Sequence, residues 1–205
     1  MSNPNSSTKM DLWFMVRLAV LIAILLVLEI TGLGLIKTPG LEFTIMQVPV
    51  LIGAIVMGPA AGAILGGTFG LISFWECFGK SAFGAVLLGI SPIGTFVTCV
   101  PTRILMGFLC GFIFKALYKI DGTKLVSFGV ASLVGALLNT VFFMTSLVLF
   151  FYNTEFIQGF VTALGSANPF TFVVAFVGVQ GALEAVICFV VGAAVSKALY
   201  KVVNR

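Results

Sequence analysis

Two charged residues that could take part in chemistry, Arg103 and Glu184, lie inside long apolar segments of the sequence. Arg103 stands about ten residues into a predicted helix, and thus roughly 15 Å along it. A charge in such surroundings is costly unless it faces a cavity or a partner. One interpretation is a buried Arg103–Glu184 pair that fixes helix packing. In the other, Arg103 binds both oxygens of a ligand carboxylate, and Glu184 holds Arg103 or bonds a ligand hydroxyl.

Four further side chains are candidates for ligand contact. Asn139 and Gln180 are amides within apolar segments, where each must find a hydrogen-bonding partner. Contacts between helices explain them as well as contacts with a substrate. Gln47 lies near one end of a short predicted helix. Trp75 could form part of an apolar wall of a site, or belong to the aromatic belt of a membrane surface.

The sequence offers no constellation for catalysis or metal binding. It has no His, the commonest proton shuttle and metal ligand, and its four Cys lack metal-like spacing. Gly79-Lys80-Ser81 resembles the end of a phosphate-binding loop, but Phe74 stands where that pattern requires glycine. We therefore expect no catalytic residue, no metal site, no cofactor and no ATPase in this chain.

The composition is that of a membrane protein. The chain is 60% hydrophobic and only 9% charged, whereas a soluble domain carries roughly 25% charged residues. The net charge of +4 is then a signal of membrane topology and does not indicate a nucleic-acid partner.

Eight of the eleven Lys and Arg residues fall into three short segments separated by long apolar stretches. These eight are Lys9, Arg17, Lys115, Lys119, Lys124, Lys197, Lys201 and Arg205. Each apolar stretch can hold an even number of crossings, so all three segments can face the cytoplasm, as the positive-inside rule requires. Both termini are then cytoplasmic.

The apolar pattern predicts an all-α membrane protein with one domain, 1–205, and six transmembrane helices, each near the length that spans a bilayer. The predicted helices are 12–34, 44–58, 59–76, 93–118, 125–151 and 169–199. Outer loops are the longer ones, and inner connections are minimal.

Small residues recur at helical spacing on two predicted helices. Gly58, Gly62, Gly66 and Gly70 form a stripe that lets another helix approach closely. Internal packing explains this stripe more simply than a docking surface does. Ala19 and Ala23 form an Ala-x-x-x-Ala pair on the first helix, and spacing alone favours packing there as well.

Several of these segments resemble the substrate-binding S components of energy-coupling factor (ECF) vitamin transporters. The resemblance extends over almost the whole chain. It is carried by the Ala19-x-x-x-Ala23 pair, by the segment from Val48 to Gly62 with its Gly58-Pro59 turn, by Pro101-Thr102-Arg103-Ile104-Leu105-Met106-Gly107 and by Leu183-Glu184-Ala185-Val186.

This resemblance implies a subunit in the cell membrane of a prokaryote that binds a vitamin tightly from outside. It implies that Ala19 and Ala23 dock onto a transmembrane T component, which works with two ATPase subunits, and that the S component topples to release its cargo. The segment 48–62 is most similar to the pantothenate type. Arg103 suits a small ligand that carries a carboxylate, and Asn139, Gln180 and Gln47 could bond the amide and hydroxyl groups of that ligand. Riboflavin or another vitamin is the alternative.

Three other classes of protein stay open. A self-sufficient secondary transporter would need a coupling-ion site and usually inverted repeats, and no repeat is convincing here. An integral-membrane enzyme would need more reactive groups than Arg103 and Glu184 supply. A membrane scaffold without a ligand would bind no small molecule saturably.

Overall fold

The protein is mainly helical. The structure, a computed structural model, describes residues 5–38, 41–123 and 125–203. Pro39, Gly40, Lys124 and Arg205 lie outside the described residues, as do the side chains of Lys9, Lys37, Glu42 and Gln180. The elements are α1 (Asn5–Thr31), β1 (Leu35–Thr38), β2 (Leu41–Thr44), α2 (Gln47–Met57), α3 (Pro59–Glu76), α4 (Ala82–Ile90), α5 (Pro92–Ile120), α6 (Val126–Phe151), α7 (Glu155–Ala163), α8 (Pro169–Ile187), a π-helical turn (Cys188–Gly192) and α9 (Ala193–Val203).

The segments expected to be outer loops contain regular structure. β1 and β2 pair as an antiparallel hairpin in which Leu35 is opposite Thr44. The short helices α4 and α7 begin at the hydroxyl caps Ser81 and Thr154, which accept hydrogen bonds from the backbone N–H groups of Gly84 and Ile157. The sequence analysis did not predict these three elements within the outer segments.

Each of the six predicted membrane helices overlaps an observed helix. Among the described residues, four helical stretches are long and apolar enough to cross a bilayer by themselves. They are Leu12–Thr31, Pro92–Ile120, Val126–Phe151 and Gly181–Val202. Since α2 is shorter and α3 less apolar, the number of six crossings stays a prediction.

Large apolar side chains cover the outside of the long helices. More than half of the side-chain surface is exposed in Ile30, Leu71, Phe112, Leu149 and Phe170. A water-soluble protein does not expose apolar surface on this scale. This surface matches hydrocarbon, as expected for a protein that crosses the membrane several times.

The short helix α2 forms the centre of the core. Val50, Leu51, Ala54 and Ile55 are buried, and nine consecutive residues from Gln47 onward have almost no exposed surface. The helix ends at Gly58, whose φ of 97° is unfavourable for other residues, and Pro59 begins α3 directly. The Gly-Pro turn noted in the sequence therefore reverses the chain between two buried helices.

The glycine stripe of α3 lies directly against the backbone of α5. A Cβ atom at Gly62 would collide with the carbonyl oxygen of Gly107, and one at Gly66 with the carbonyl oxygen of Arg103. A Cβ atom at Gly70 would lie 2.7 Å from the Cα atom of Val100, which is also too close. The packing interpretation of the stripe is confirmed, and this contact sets the position of the α5 turn that carries Arg103.

We expect Gly66→Ala to destabilise the protein, because the added methyl group must push α3 away from the Arg103 carbonyl. Gly67→Ala is the matched control, since its methyl group would meet only the Ile104 side chain, at 3.4 Å. Alanine favours a helix over glycine by up to about 1 kcal/mol, so the control should be neutral or slightly stabilising. Thermal unfolding of both variants in detergent tests this expectation. If the Gly66→Ala and Gly67→Ala variants melt at the same temperature, the contact between α3 and α5 can shift to accommodate the added methyl group.

One end of the bundle gathers basic and aromatic residues. The rings of Tyr118 at the end of α5 and Tyr200 on α9 are 5.1 Å apart between centroids. Lys119 and Lys201 follow these tyrosines in sequence. Two of the three basic segments therefore lie at the same end, as the topology argument requires.

Asp121 holds the turn between α5 and α6 at this end. Its carboxylate accepts hydrogen bonds from the backbone N–H of Ser127 at 2.8 Å and from the Thr123 hydroxyl at 2.8 Å. These bonds lower the pKa of Asp121 to about 2, since they favour the charged form. Asp121 is therefore ionised throughout the physiological pH range.

Candidate ligand-binding site

A cavity of about 160 Å³ lies between α3, α4, α5, α6 and α8, at the end of α5 opposite Tyr118. It is far larger than the roughly 10–15 Å³ that one water molecule needs, and it is a cleft rather than an enclosed void. Its polar lining is Thr44, Ser73, Glu76, Cys77, Ser81, Thr95, Thr98, Cys99, Arg103, Asn139, Thr140 and Glu184.

Arg103 is the only cation that lines the cavity among the residues that the structure describes. It is 7% exposed, and its guanidinium lies over the Phe69 ring, 4.6 Å from the centroid, and 5.6 Å from the Phe143 centroid. Nη1 donates to the carbonyl oxygens of Cys99 at 2.9 Å and Thr98 at 3.3 Å. The buried Nε has no hydrogen-bonding partner among the described residues. The two rings and two carbonyls thus hold the guanidinium in place and leave donors available.

Glu184 also lines the cavity, but its carboxylate bonds other groups. Oε1 accepts from the backbone N–H of Thr44 at 2.9 Å, and Oε2 accepts from Nε2 of Gln47 at 3.2 Å. Both Arg103 and Glu184 are described, and no salt bridge joins them. The pairing interpretation of these two residues is therefore wrong. Glu184 instead ties α8 to the end of the hairpin and to the start of α2.

Uncharged polar groups in and behind the cavity wall have spare hydrogen-bonding capacity. Asn139 is 7% exposed and lines the cavity, and its side chain makes no hydrogen bond within the described part of the chain. The buried Thr98 hydroxyl and Oε1 of Gln47 also have no partner among the described residues. Buried polar groups in native proteins are nearly always satisfied, so these groups are suited to bind a polar ligand in the cavity.

The rest of the wall is apolar and largely aromatic. Phe83 of α4 and Phe176 of α8 have ring centroids 6.0 Å apart, and Phe143 and Met144 of α6 complete this side. Apolar walls with a few fixed polar groups are typical of small-molecule sites. The arrangement suits a ligand with an anionic head and a compact apolar part.

The structure brings together some of the residues expected at the site and separates others. Arg103, Asn139 and Glu184 line the cavity, and Gln47 lies behind Glu184. Trp75 does not line the cavity, and its side chain is 69% exposed. Ser73 lines the cavity, and Trp75 points to another side of α3 because it lies about 200° around the helix from Ser73. The Gln180 side chain lies outside the described residues.

Sequence reasoning missed most of the lining. Glu76, Ser73 and the phenylalanines look ordinary in the sequence. One signal was present: Thr95, Thr98 and Thr102 recur at helical spacing just before Arg103 and place hydroxyls on one face of α5.

Within the described ranges, no group of three or more His, Cys, Asp or Glu side chains could hold a metal ion. The cavity offers a fixed cation, the carboxyl groups of Glu76 and Glu184, amide and hydroxyl groups and aromatic walls, which are groups for binding. Together with the apolar exterior, these features define a ligand-binding protein of the membrane.

Comparison with known proteins places this binding protein in a family. The model of the family "ECF transporter, substrate-specific component" matches residues 14–196. The chain belongs to this family, whose members are transport subunits and not themselves ATPases.

Two similar proteins carry pantothenate names. The pantothenic acid transporter PanT of Lactococcus lactis subsp. cremoris is 37% identical over 150 residues, which are 67% of this chain and 73% of that protein. The pantothenate transporter PanT of Leuconostoc mesenteroides subsp. mesenteroides is 26% identical over 170 residues, which are 81% of this chain and 79% of that protein.

Proposed function

We propose that this chain is the pantothenate-binding subunit of an ECF importer and that it takes the vitamin into the described cavity from outside the cell. The observation that carries this proposal is the position of Arg103. It is a buried cation in the cavity wall, its Nε has no partner in the described chain, and no carboxylate of the described residues forms a salt bridge with it.

The groups around Arg103 match the parts of pantothenate. Arg103 binds the ligand carboxylate through charge-assisted hydrogen bonds. Asn139 and the Thr98 hydroxyl, which line the same cavity as Arg103, bond the amide and hydroxyl groups. Phe143 and Phe176 pack against the methyl groups of the ligand.

Glu184 and Gln47 act on the ligand indirectly in this proposal. Their mutual hydrogen bond at 3.2 Å holds the start of α2 against α8, and this fixes the wall opposite α5. Gln180 stays a candidate for ligand contact because it lies one helical turn before Glu184 on α8. Trp75 is assigned to the membrane surface, where an indole ring is favourable.

The same proposal gives the chain six crossings with both termini in the cytoplasm of a prokaryote. The cavity then opens outward, since it lies at the opposite end of α5 from the basic cluster. Ala19 and Ala23 form the docking surface for a T component, which two ATPase subunits drive. Release of the vitamin follows from toppling of the subunit in the bilayer. ATP hydrolysis by these two subunits supplies the energy for transport, which this chain cannot supply itself.

The exposure of α1 supports this docking surface. One face of α1 packs against the core through Leu18, Leu21, Ile22 and Leu25. Ala19 and Ala23 lie outside that face and are exposed. Small exposed residues on an outer helix permit close approach of a partner helix.

Equilibrium binding of pantothenate to the purified chain in detergent tests the proposal, with riboflavin and folate as competitors. We expect saturable nanomolar binding that neither competitor displaces. Displacement by riboflavin would keep the transporter family and change the cargo. No binding of any vitamin by folded protein would overturn the proposed function, and counterflow in liposomes without partners would favour a self-sufficient transporter.

A further inference from the structure

A second cavity lies at the opposite end of the bundle from the ligand site. It is open, has a volume of about 380 Å³, and lies between the last turns of α5 and the side chain of Tyr200 on α9. Aromatic rings and two lysines make up most of its lining, namely Phe112, Phe114, Lys115, Tyr118, Lys119 and Tyr200. The proposed binding of pantothenate uses none of these residues.

An aromatic cluster forms the back of this cavity. The Phe114 ring is 3% exposed, and its centroid lies 5.3 Å from that of Tyr118 and 5.6 Å from that of Tyr200. Phe128 of α6 packs against all three of these rings. Because the cluster joins α5, α6 and α9, it is a fixed surface against which a ligand can lie.

Two lysines on one side of α5 lie beside this aromatic cluster. Lys115 and Lys119 are four residues apart, which places them about 6 Å apart along the same side of the helix. Both are exposed, and neither forms a salt bridge within the described part of the chain. A Cβ atom at Gly58 would lie 3.4 Å from Nζ of Lys115, so this ammonium group lies at the turn where α2 ends. No Asp or Glu of the described residues lines the cavity, which is therefore positively charged.

The same side of α5 changes from apolar to basic toward the end of the helix. Phe108 and Phe112 precede the two lysines, and all four residues fall within about 60° around the helix axis. The two rings are 44% and 60% exposed. Since α5 is long and apolar enough to cross the bilayer, the rings contact hydrocarbon and the lysines reach the level of the lipid headgroups. A phospholipid has the same order of groups, with acyl chains first and a phosphate at the surface.

We propose that this cavity binds an anionic phospholipid of the cytoplasmic leaflet. The phosphate oxygens accept charge-assisted hydrogen bonds from Lys115 and Lys119, and an acyl chain follows Phe112 and Phe108 into the hydrocarbon. Basic pockets between helices on the cytoplasmic side suit anionic headgroups, whereas a soluble phosphate would make no use of the two exposed rings. The proposal goes beyond the proposed function and takes from it only the cytoplasmic side of this end.

The test compares two matched double variants of the full chain in detergent. Lys115→Gln/Lys119→Gln removes the two lysines of the cavity. Lys197→Gln/Lys201→Gln removes two exposed lysines of α9 that are also four residues apart, but neither of them lines the cavity. Each protein is titrated with dioleoyl phosphatidylglycerol or with dioleoyl phosphatidylcholine, and native mass spectrometry counts the retained lipids. Thermal unfolding checks that both variants are folded.

We expect the native protein and the α9 variant to retain one phosphatidylglycerol at concentrations at which phosphatidylcholine is not retained. The cavity variant should need at least about tenfold more phosphatidylglycerol, because it lacks both cations that attract the phosphate. No retained lipid, equal retention of the two lipids, or an equal loss in the two variants would overturn the proposal.

A competition experiment separates a lipid from a soluble phosphate. We expect sn-glycerol 3-phosphate to leave the bound phosphatidylglycerol in place, because it has no acyl chain to lie along Phe112 and Phe108. Displacement at a concentration comparable to that of the lipid would overturn the proposal, since the cavity would then be a site for a soluble anion. None of these measurements uses pantothenate, so a failure of the proposed function would be recognised separately.

Discussion

Replacement of Arg103 by alanine should weaken pantothenate binding by about 2 kcal/mol or more, which is roughly 30-fold in Kd. The expected loss is large because the guanidinium is buried and held by Phe69, Phe143 and two carbonyl oxygens. A carboxylate that enters the cavity without it would be desolvated and unpaired. Isothermal titration of the purified variant measures the change.

Two controls separate ligand contact from a structural role of Arg103. Arg17→Ala removes the same side chain from α1, outside the cavity, and should leave Kd unchanged. Pantothenol, in which an alcohol replaces the carboxylate, should bind the native protein weakly and lose much less on Arg103→Ala. If the variant is folded and binds pantothenate as the native protein does, Arg103 serves packing alone. An equal loss for both ligands would also exclude the carboxylate contact.

Tryptophan at Ala19 or Ala23 should abolish uptake by the assembled transporter and leave pantothenate affinity intact. The indole ring would hold a partner helix away from the small exposed surface of α1. Neither alanine lines the cavity, so binding should not respond. Vitamin uptake by proteoliposomes that contain the whole complex, together with binding to the isolated chain, measures both effects.

Ile24→Trp is the matched control for this prediction. Ile24 is 42% exposed on α1, and it lies about 100° or more around the helix from both alanines. Its variant adds the same bulk to a different side of the helix and should transport normally. If the tryptophan variants at Ala19 and Ala23 still transport the vitamin, α1 is not the docking helix. If the Ile24→Trp variant also loses uptake, the substitutions damage the protein in general.

The helices were predictable because their apolar residues outnumber all others over long stretches. The small elements between them were not. The hairpin is held by backbone pairing between Leu35 and Thr44, and α4 depends on one serine cap at Ser81. Such local contacts leave only short, weak signals in a sequence where almost every window is apolar.

Residues of the candidate site could be predicted where a polar or charged side chain stands within an apolar segment of the sequence. Arg103, Asn139 and Glu184 stood out because polar groups are costly in apolar segments. Their partners were not predictable, since the Glu184 contact with Thr44 joins positions 140 residues apart. The sequence left two interpretations of Trp75, a wall of the site and the aromatic belt, because only the helix rotation decides whether such a ring faces the cavity or the lipid.

The burial of α2 has a consequence for how the protein assembles in the membrane. Its 11 residues extend about 16 Å, roughly half of the hydrocarbon thickness. A helix of this length has no stable position among lipids alone, whereas α1, α5 and α6 are long enough to insert independently. The central helix therefore takes its place only when its neighbours are already there, and its insertion closes the core between them.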